Sequence, residues 1–292
     1  MSNILKTLHI LDEEGKELTV SEYLNMSIIA AEVAYKDAIK GDDPGTVLKI
    51  LLALRRTVIE KKVYLESRGE IIGGVFRGMK YLPTSRNSVL MPKLIGTYES
   101  EVSELLIRRG KTLNYFIDVG CAEGYYVAGL AYRFPKIDCI GVDIEPESRA
   151  LAATLCDING LKGNTSIFEN IDGATKDLAG NVLALIDVDG DEINMINKVI
   201  NLTKGNKNIS ALELVIETDR NDCGTSTEEE IKNYLQLRGF TIQQIIRQDI
   251  HNRVSSVTES WDYYDRMICG HERSYSEQSW IVTSNSSTYH QY

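Results

Sequence analysis

The stretch from Tyr115 to Pro135, YFIDVGCAEGYYVAGLAYRFP, leaves the chain few choices of fold. Its first part is aromatic and β-branched at Tyr115, Phe116, Ile117 and Val119, which suits a buried strand. Its last part carries Val127, Leu130 and Ala131 at helical spacing. Between them lies the small-residue turn Gly120-Cys121-Ala122-Glu123-Gly124. A strand, a tight turn and a helix N-terminus form the ligand-holding edge of an open α/β sheet. Asp118 then stands at the carboxyl end of that strand.

The same rhythm continues downstream. Strands are predicted over 137–144, 164–168, 181–188, 212–218 and 240–247, with a last one over 280–283. Helices are predicted over 145–160, 192–202 and 226–238. This alternation means a doubly wound, mostly parallel α/β sheet. Ahead of it, Gly69 to Lys93 reads as a loop with Phe76, Met79 and Tyr81 as apolar anchors. A helix is expected from Leu94 to Arg109, with Thr97 placed as its cap and Ser100 three residues on. Two amphipathic helices, over 18–40 and 46–67 around a Gly41–Gly45 break, read as an antiparallel hairpin. The expected organisation is a hairpin over 1–70, a connecting loop and helix over the active site at 71–113, the sheet domain at 114–284 and a disordered tail at 285–292.

Composition narrows the function. The net charge is −10, which disfavours nucleic acid as a partner because phosphate neutralisation needs a basic face. No apolar run approaches the roughly 18 residues of a membrane span. The N-terminal residues are too acidic and broken for a secretory signal. Five cysteines, with no CxxC pair, fit reduced, buried thiols in a cytoplasm.

Acidic residues recur at the predicted strand ends: Asp118, Asp143, Asp187 with Asp189, and Glu217 with Asp219. A carboxylate at Asp143 can accept hydrogen bonds from both ribose hydroxyls of a nucleoside. The turn is Gly-x-x-x-Gly and lacks the GxGxxG fingerprint, and Asp118 beside it would repel a diphosphate. A cationic sulfonium with an amino-acid tail suits this edge better than a dinucleotide.

FIDVGCAEGYY followed by IGVDIEP resembles the glycine motif and second-strand acid of class I S-adenosylmethionine-dependent methyltransferases. PKLIGTYESE, ALIDVDGDE, Arg253, Glu272-Arg273 and Trp280 resemble the FkbM-type group within them. The resemblance runs from about Gly74 to Trp280 and leaves out the hairpin. That type carries D-x-E-G-x-E at the fourth strand, where this chain has Asp187-Val188-Asp189-Gly190-Asp191-Glu192. Ala122 replaces the middle glycine of the usual turn, which implies a slightly moved turn. Glu217-Thr218-Asp219 stands where relatives often have a histidine.

The resemblance implies a Rossmann-like methyltransferase sheet with an N-terminal helical extension, and roles by position. Asp118, Gly120, Cys121, Ala122 and Gly124 would border the methionine part of S-adenosylmethionine. Asp143 would hold the ribose, Ile144 would lie against adenine, and Asn170 or Ile171 would meet the adenine edge. Asp187 would face the methionine end, with Tyr98 and Glu99 closing over it. The expected base is Asp189, with Glu217 and His271 as further catalytic candidates and Asp219 and His251 behind them. Arg253 and Arg273 are expected to contact substrate. No metal is expected; Mg²⁺ is the unfavoured alternative, and Asp187, Asp189, Glu217 and Asp219 would be its ligands. Arg220 or Arg253 would relieve the same repulsion without a metal.

The expected activity is methylation of a hydroxyl on a small molecule, a sugar or secondary metabolite. The alternatives are methylation of another atom or a macromolecule, and a non-catalytic nucleoside-binding scaffold; a nicotinamide oxidoreductase is more distant. The N-terminal helices offer a homodimer contact or, as a sharper alternative, a lid.

Overall fold

The computed structural model describes residues 10–11, 17–18, 36, 59–86, 88–174, 178–188, 190–218, 227–247 and 279–283. Seven strands form one sheet: β1 (Tyr115–Val119), β2 (Asp138–Val142), β3 (Thr165–Phe168), β4 (Gly180–Ile186), β5 (Ile209–Thr218), β6 (Ile242–Arg247) and β7 (Ser279–Thr283). Their order is β3-β2-β1-β4-β5-β7-β6. The first five are parallel, and β7 runs antiparallel to both β5 and β6. This is the doubly wound, Rossmann-like arrangement expected from the alternation.

The sheet is buried on both faces, and period two sorts its side chains. In β1, Phe116 joins the core on one face, whereas Ile117 and Val119 join the core on the other. In β4, Leu183 and Leu185 follow Phe116, and Val182, Ala184 and Ile186 follow Ile117. Strands covered on both sides read as continuous apolar runs, as NVLALI does.

The helices around the sheet are α1 (Leu90–Ile95), α2 (Ser100–Gly110), α3 (Tyr125–Arg133), α4 (Pro146–Ile158), α5 (Glu192–Thr203) and α6 (Glu228–Leu237). Pro146 occupies the first turn of α4, where its missing N–H costs little. All residues from Tyr125 to Ala131 in α3 are buried, so that helix has no polar face over its first two turns. Phe76 packs against the backbone of Gly129, where a Cβ would lie 2.6 Å from its ring. The anchors Phe76, Met79 and Tyr81 are indeed at most 1% exposed.

The segment before β1 departs from expectation. A helix already starts at Leu90, inside the stretch read as loop, and runs to Ile95, where Gly96 ends it with φ 75°. Pro92 is tolerated because it falls in the first turn. The next helix starts at Ser100, with Glu99 as its cap and no side-chain cap bond. Thr97 is therefore two residues too early to cap, and its buried Oγ1 has no hydrogen-bond partner among the described residues. Near the N-terminus, Glu17–Leu18 pairs with Ile10–Leu11 as a short antiparallel ladder, so Leu18 does not open a helix. Of the expected second helix, residues 59–66 are helical. Lys36 is helical as well; residues 19–35 and 37–58 of the hairpin and the tail lie outside the described residues. Among the described residues, no helix is long and apolar enough to cross a membrane.

β1 pairs with β2 on one side and β4 on the other, and the chain reverses its winding between β1 and β4. In register, Val119 lies opposite Val142 and Ile186, and Ile186 lies opposite Ile216. The residues that follow, Gly120, Asp143, Asp187 and Glu217, therefore reach one edge of the sheet together. This edge lies at the topological switch point, where such sheets bind ligands.

Candidate active site

The turn after β1 is built from left-handed backbone. Gly120, Ala122 and Gly124 have φ of 87°, 46° and 85°. Gly120 has no substitute here, because an added Cβ would lie 1.8 Å from the Asp187 carbonyl oxygen. Ala122 keeps the left-handed conformation that a glycine would adopt freely, at a cost of about 1–2 kcal/mol. Asp143 holds it there: the Ala122 N–H donates to Asp143 Oδ2 at 2.9 Å, and the Glu145 N–H donates to Oδ1 at 2.8 Å. Each carboxylate oxygen can accept a second bond, so Asp143 retains acceptor capacity toward a ligand.

A cleft of about 430 Å³ opens over this turn. Asp118, Gly120, Cys121, Ala122, Asp143, Ile144, Asn170, Ile171 and Asp187 all line it, from four successive strand ends. Ile144 is 78% exposed, a bare apolar side chain beside Asp143. Tyr98, Tyr125 and Tyr126 form the opposite wall, with ring centroids 5.2–6.5 Å apart. Gly124 stands behind the cleft, against Ala152 of α4.

The end of the cleft at Asp118 and Asp187 concentrates negative charge. Asp118 is 2% exposed, and its Oδ2 is buried without a hydrogen-bond partner among the described residues. Burial, and then the charges of Asp187, Asp143 and Glu99, push its carboxyl well above the usual range. Glu99 is 3% exposed and sits in the left-handed region at φ 40°. The Tyr126 hydroxyl donates to its Oε2 at 2.5 Å. Burial and the Asp187 charge raise Glu99 to about 7, against hydrogen bonds from Tyr126 and Tyr98 and the charge of Lys93.

Glu123, in the same turn, is in the opposite situation. It is fully buried yet accepts four hydrogen bonds from the segment that precedes β1. Tyr81 Oη at 2.6 Å, Ser85 Oγ at 2.7 Å and Lys93 Nζ at 2.5 Å converge on Oε1. The Arg86 N–H reaches Oε2 at 3.1 Å. Burial would raise its carboxyl, but Lys93 and these donors outweigh burial and hold it below the usual value. This hub ties residues 81–93 onto the turn. Arg86, Ser88 and Lys93 of that strap line the cleft, and Arg86 bridges it to Glu147 of α4 at 2.6 Å.

Sequence reasoning named Glu99 and Tyr98 but missed Lys93, Glu123 and Tyr126. A signal was present: Lys93 is the one charge in LMPKLI, and a lysine inside an apolar run needs a carboxylate partner. Glu99 borders the cleft from behind the tyrosines and does not line it. Glu217 is 6% exposed at the end of β5, paired in register with Trp280, and also does not line the cleft. Its charge reaches Tyr98, whose hydroxyl is raised chiefly by burial and then by Glu99, Asp187 and Glu217. Asp189, Asp219, Arg220, His251, Arg253, His271 and Arg273 lie outside the described residues. Among the described residues, no three His, Cys, Asp or Glu side chains are gathered to hold a metal ion. Cys121, Cys139 and Cys156 are free and buried.

No family model and no curated protein matches the chain. Solved structures similar to it include a precorrin-6y C5,15-methyltransferase from Geobacter metallireducens. That likeness has 12% identity and a TM-score of 0.43, over 64% of this chain and 89% of that one. The StiE O-MT (residues 942–1257) is similar at 16% identity and a TM-score of 0.41, over 65% and 76% of the two chains. TrmK of M. capricolum, solved with S-adenosyl-homocysteine, is similar at 14% identity and a TM-score of 0.38, over 62% and 67%. The chemistry of the site therefore rests on its own residues.

Proposed function

We propose that this chain is an S-adenosylmethionine-dependent methyltransferase that methylates a hydroxyl of a small molecule, in the manner of the FkbM-type enzymes it resembles in sequence. The observation that carries this reading is the line of groups along one sheet edge. It runs from a buried, unpartnered carboxylate oxygen at Asp118, through acceptor capacity at Asp143, to a bare apolar side chain at Ile144. These match in order a cation, a ribose diol and a flat base, so the residues fit this cofactor. Asp118 and Asp187 would face its positive end, Asp143 its ribose, and Ile144 with Asn170 and Ile171 its adenine. A diphosphate would meet the acid cluster unfavourably.

S-adenosylmethionine supplies a methyl group already activated by a sulfonium. The protein's part is to align the acceptor oxygen with that carbon and to exclude water, effects worth up to about 7–11 kcal/mol together. Tyr98, Tyr125 and Tyr126 supply an aromatic wall, and the strap of residues 81–93 covers the approach. The acceptor's proton needs a base; Asp189, Glu217 and His271 are our candidates, with Arg253 and Arg273 as substrate contacts. The acid-lined cleft and net charge of −10 favour a small acceptor over nucleic acid. Three free buried thiols support a cytoplasmic setting.

Calorimetric titration with S-adenosylmethionine and S-adenosylhomocysteine, with NAD as control, tests the cofactor. Both nucleosides bind the protein, NAD does not, and Asp143→Ala weakens binding at least tenfold. Failure of both nucleosides to bind refutes the reading. A following acceptor screen, with and without Mg²⁺ and read by S-adenosylhomocysteine release, separates an enzyme from a scaffold that only binds.

A further inference from the structure

Resting on that reading of the cofactor, we propose that Arg86 binds the carboxylate of the nucleoside's amino-acid tail. The sheet edge then recognises the sulfonium, ribose and base, and the strap recognises the tail.

The tail is a zwitterion, and its carboxylate is the one anionic group of the nucleoside. That group finds no partner in Asp118 and needs a cation with donors to spare. Among the described residues, the cations that line the cleft are Arg86, Lys93 and Lys198. Lys93 is committed already. Its Nζ donates to Glu123 Oε1 at 2.5 Å and to Ser88 Oγ at 2.7 Å, and it lies 4.6 Å from the centre of the Tyr98 ring. An ammonium has three N–H groups, so these three neighbours use it fully. Lys198 is exposed, midway along α5.

Arg86 is placed differently. Its backbone N–H donates to Glu123 Oε2 at 3.1 Å, which fixes the residue against the turn between Gly120 and Gly124. Its Nη1 reaches Glu147 Oε2 at 2.6 Å on the first turn of α4. The Glu147 side chain is 72% exposed, so this pair is solvated and holds the guanidinium only weakly. The Nε of Arg86 is buried and has no acceptor among the described residues. A buried donor without an acceptor is costly, and a ligand oxygen removes that cost. Nε and Nη2 of a guanidinium together match the two oxygens of a carboxylate in one plane. A ribose hydroxyl or a ring nitrogen offers one neutral acceptor and leaves half of that edge unused.

Asp118 on the sheet and Arg86 on the strap thus give the cleft two poles. The ammonium and sulfonium of the ligand meet the first and its carboxylate meets the second. The tail is fixed in direction, and the methyl carbon that it carries is aimed with it.

The test compares S-adenosylhomocysteine with S-adenosyl-3-thiopropylamine, which lacks only the carboxylate, by calorimetry. The wild-type protein binds the first about tenfold to a hundredfold more tightly, the range of a hydrogen bond to a charged group. Arg86→Gln weakens S-adenosylhomocysteine by that factor and leaves S-adenosyl-3-thiopropylamine unchanged, so the gap closes. Arg86→Lys keeps the charge without the fork and falls between the two. Glu147→Gln keeps the gap. Equal affinities in the wild-type protein overturn the proposal. A gap that persists in Arg86→Gln also overturns it, and a raised KM for anionic acceptors alone would then give the guanidinium to the acceptor. Equal weakening of both compounds means that Arg86 only secures the strap, and overturns it too. If Arg86→Gln does not fold, Arg86→Lys and the wild-type gap decide. Failure of the wild-type protein to bind either compound refutes the cofactor reading itself and so is a different result.

Discussion

Asp118 and Glu123 lie five positions apart across one turn, both are buried, and they carry opposite electrostatics. Glu123 accepts from Tyr81, Ser85, Arg86 and Lys93, and its charge is held. Asp118 has a buried oxygen with no hydrogen-bond partner among the described residues, and its charge is resisted by burial and by three neighbouring carboxylates. Burial alone therefore does not determine the role of a carboxylate. The saturated one fastens a strap to the sheet, and the unsaturated one faces the cleft.

The comparison breaks first at Lys93. Lys93→Met leaves the Glu123 charge buried without its counter-ion, and a loss of about 3–5 kcal/mol is expected. Urea unfolding at pH 7 measures it, and adding Glu123→Gln recovers most of the loss. A change under about 1 kcal/mol would show that the strap is not fastened by this pair.

The unsaturated side is tested by pH. Glu99 is raised from 4.5 to about 7, so its contribution is full below pH 4.5 and is lost as pH rises through about 7. Asp118, also raised, adds in the same direction. The ligand-free protein is thus expected to lose stability between pH 5 and pH 8, by on the order of 3 kcal/mol from Glu99 alone. Glu123, with its carboxyl lowered, has the opposite sign and loses its contribution only as pH falls through its folded value. Glu99→Gln and Asp118→Asn each flatten the alkaline slope in unfolding experiments across this range, whereas Lys93→Met leaves that slope in place.

The smallest effect concerns the turn between the two acids. Ala122→Gly relieves the left-handed backbone but loosens the unfolded chain, so the net gain is at most about 1 kcal/mol. A melting temperature lowered by this change would mean that the Ala122 methyl packs usefully and that the turn is not strained.

Much of the fold was legible because it is local. Alternating period-two and period-3.6 stretches, short glycine turns and Pro146 mark the elements from Tyr115 to Leu237 within a residue or two at most ends. The acids at the strand ends were legible for the same reason. Residues 81–99 were not. LMPKLIGTYES carries its break at Gly96, yet a single long helix from Leu94 with a Thr97 cap was the simpler pattern, and Glu99 overrides it by adopting φ 40°. That conformation has no local cause in the sequence; it belongs to the Tyr98, Tyr126 and Glu99 network.

By itself, then, the chain's order of apolar, glycine and acidic residues determined a doubly wound sheet and lined its carboxylates along one edge, since strand direction and period are set by neighbouring residues. Which of those carboxylates is neutralised was decided only by tertiary structure. Glu123 is satisfied by side chains that arrive from 30 to 42 positions earlier, and Glu99 reaches Tyr126 across 27. Such partners are chosen by the docking of the strap onto α3, a contact that no local pattern encodes.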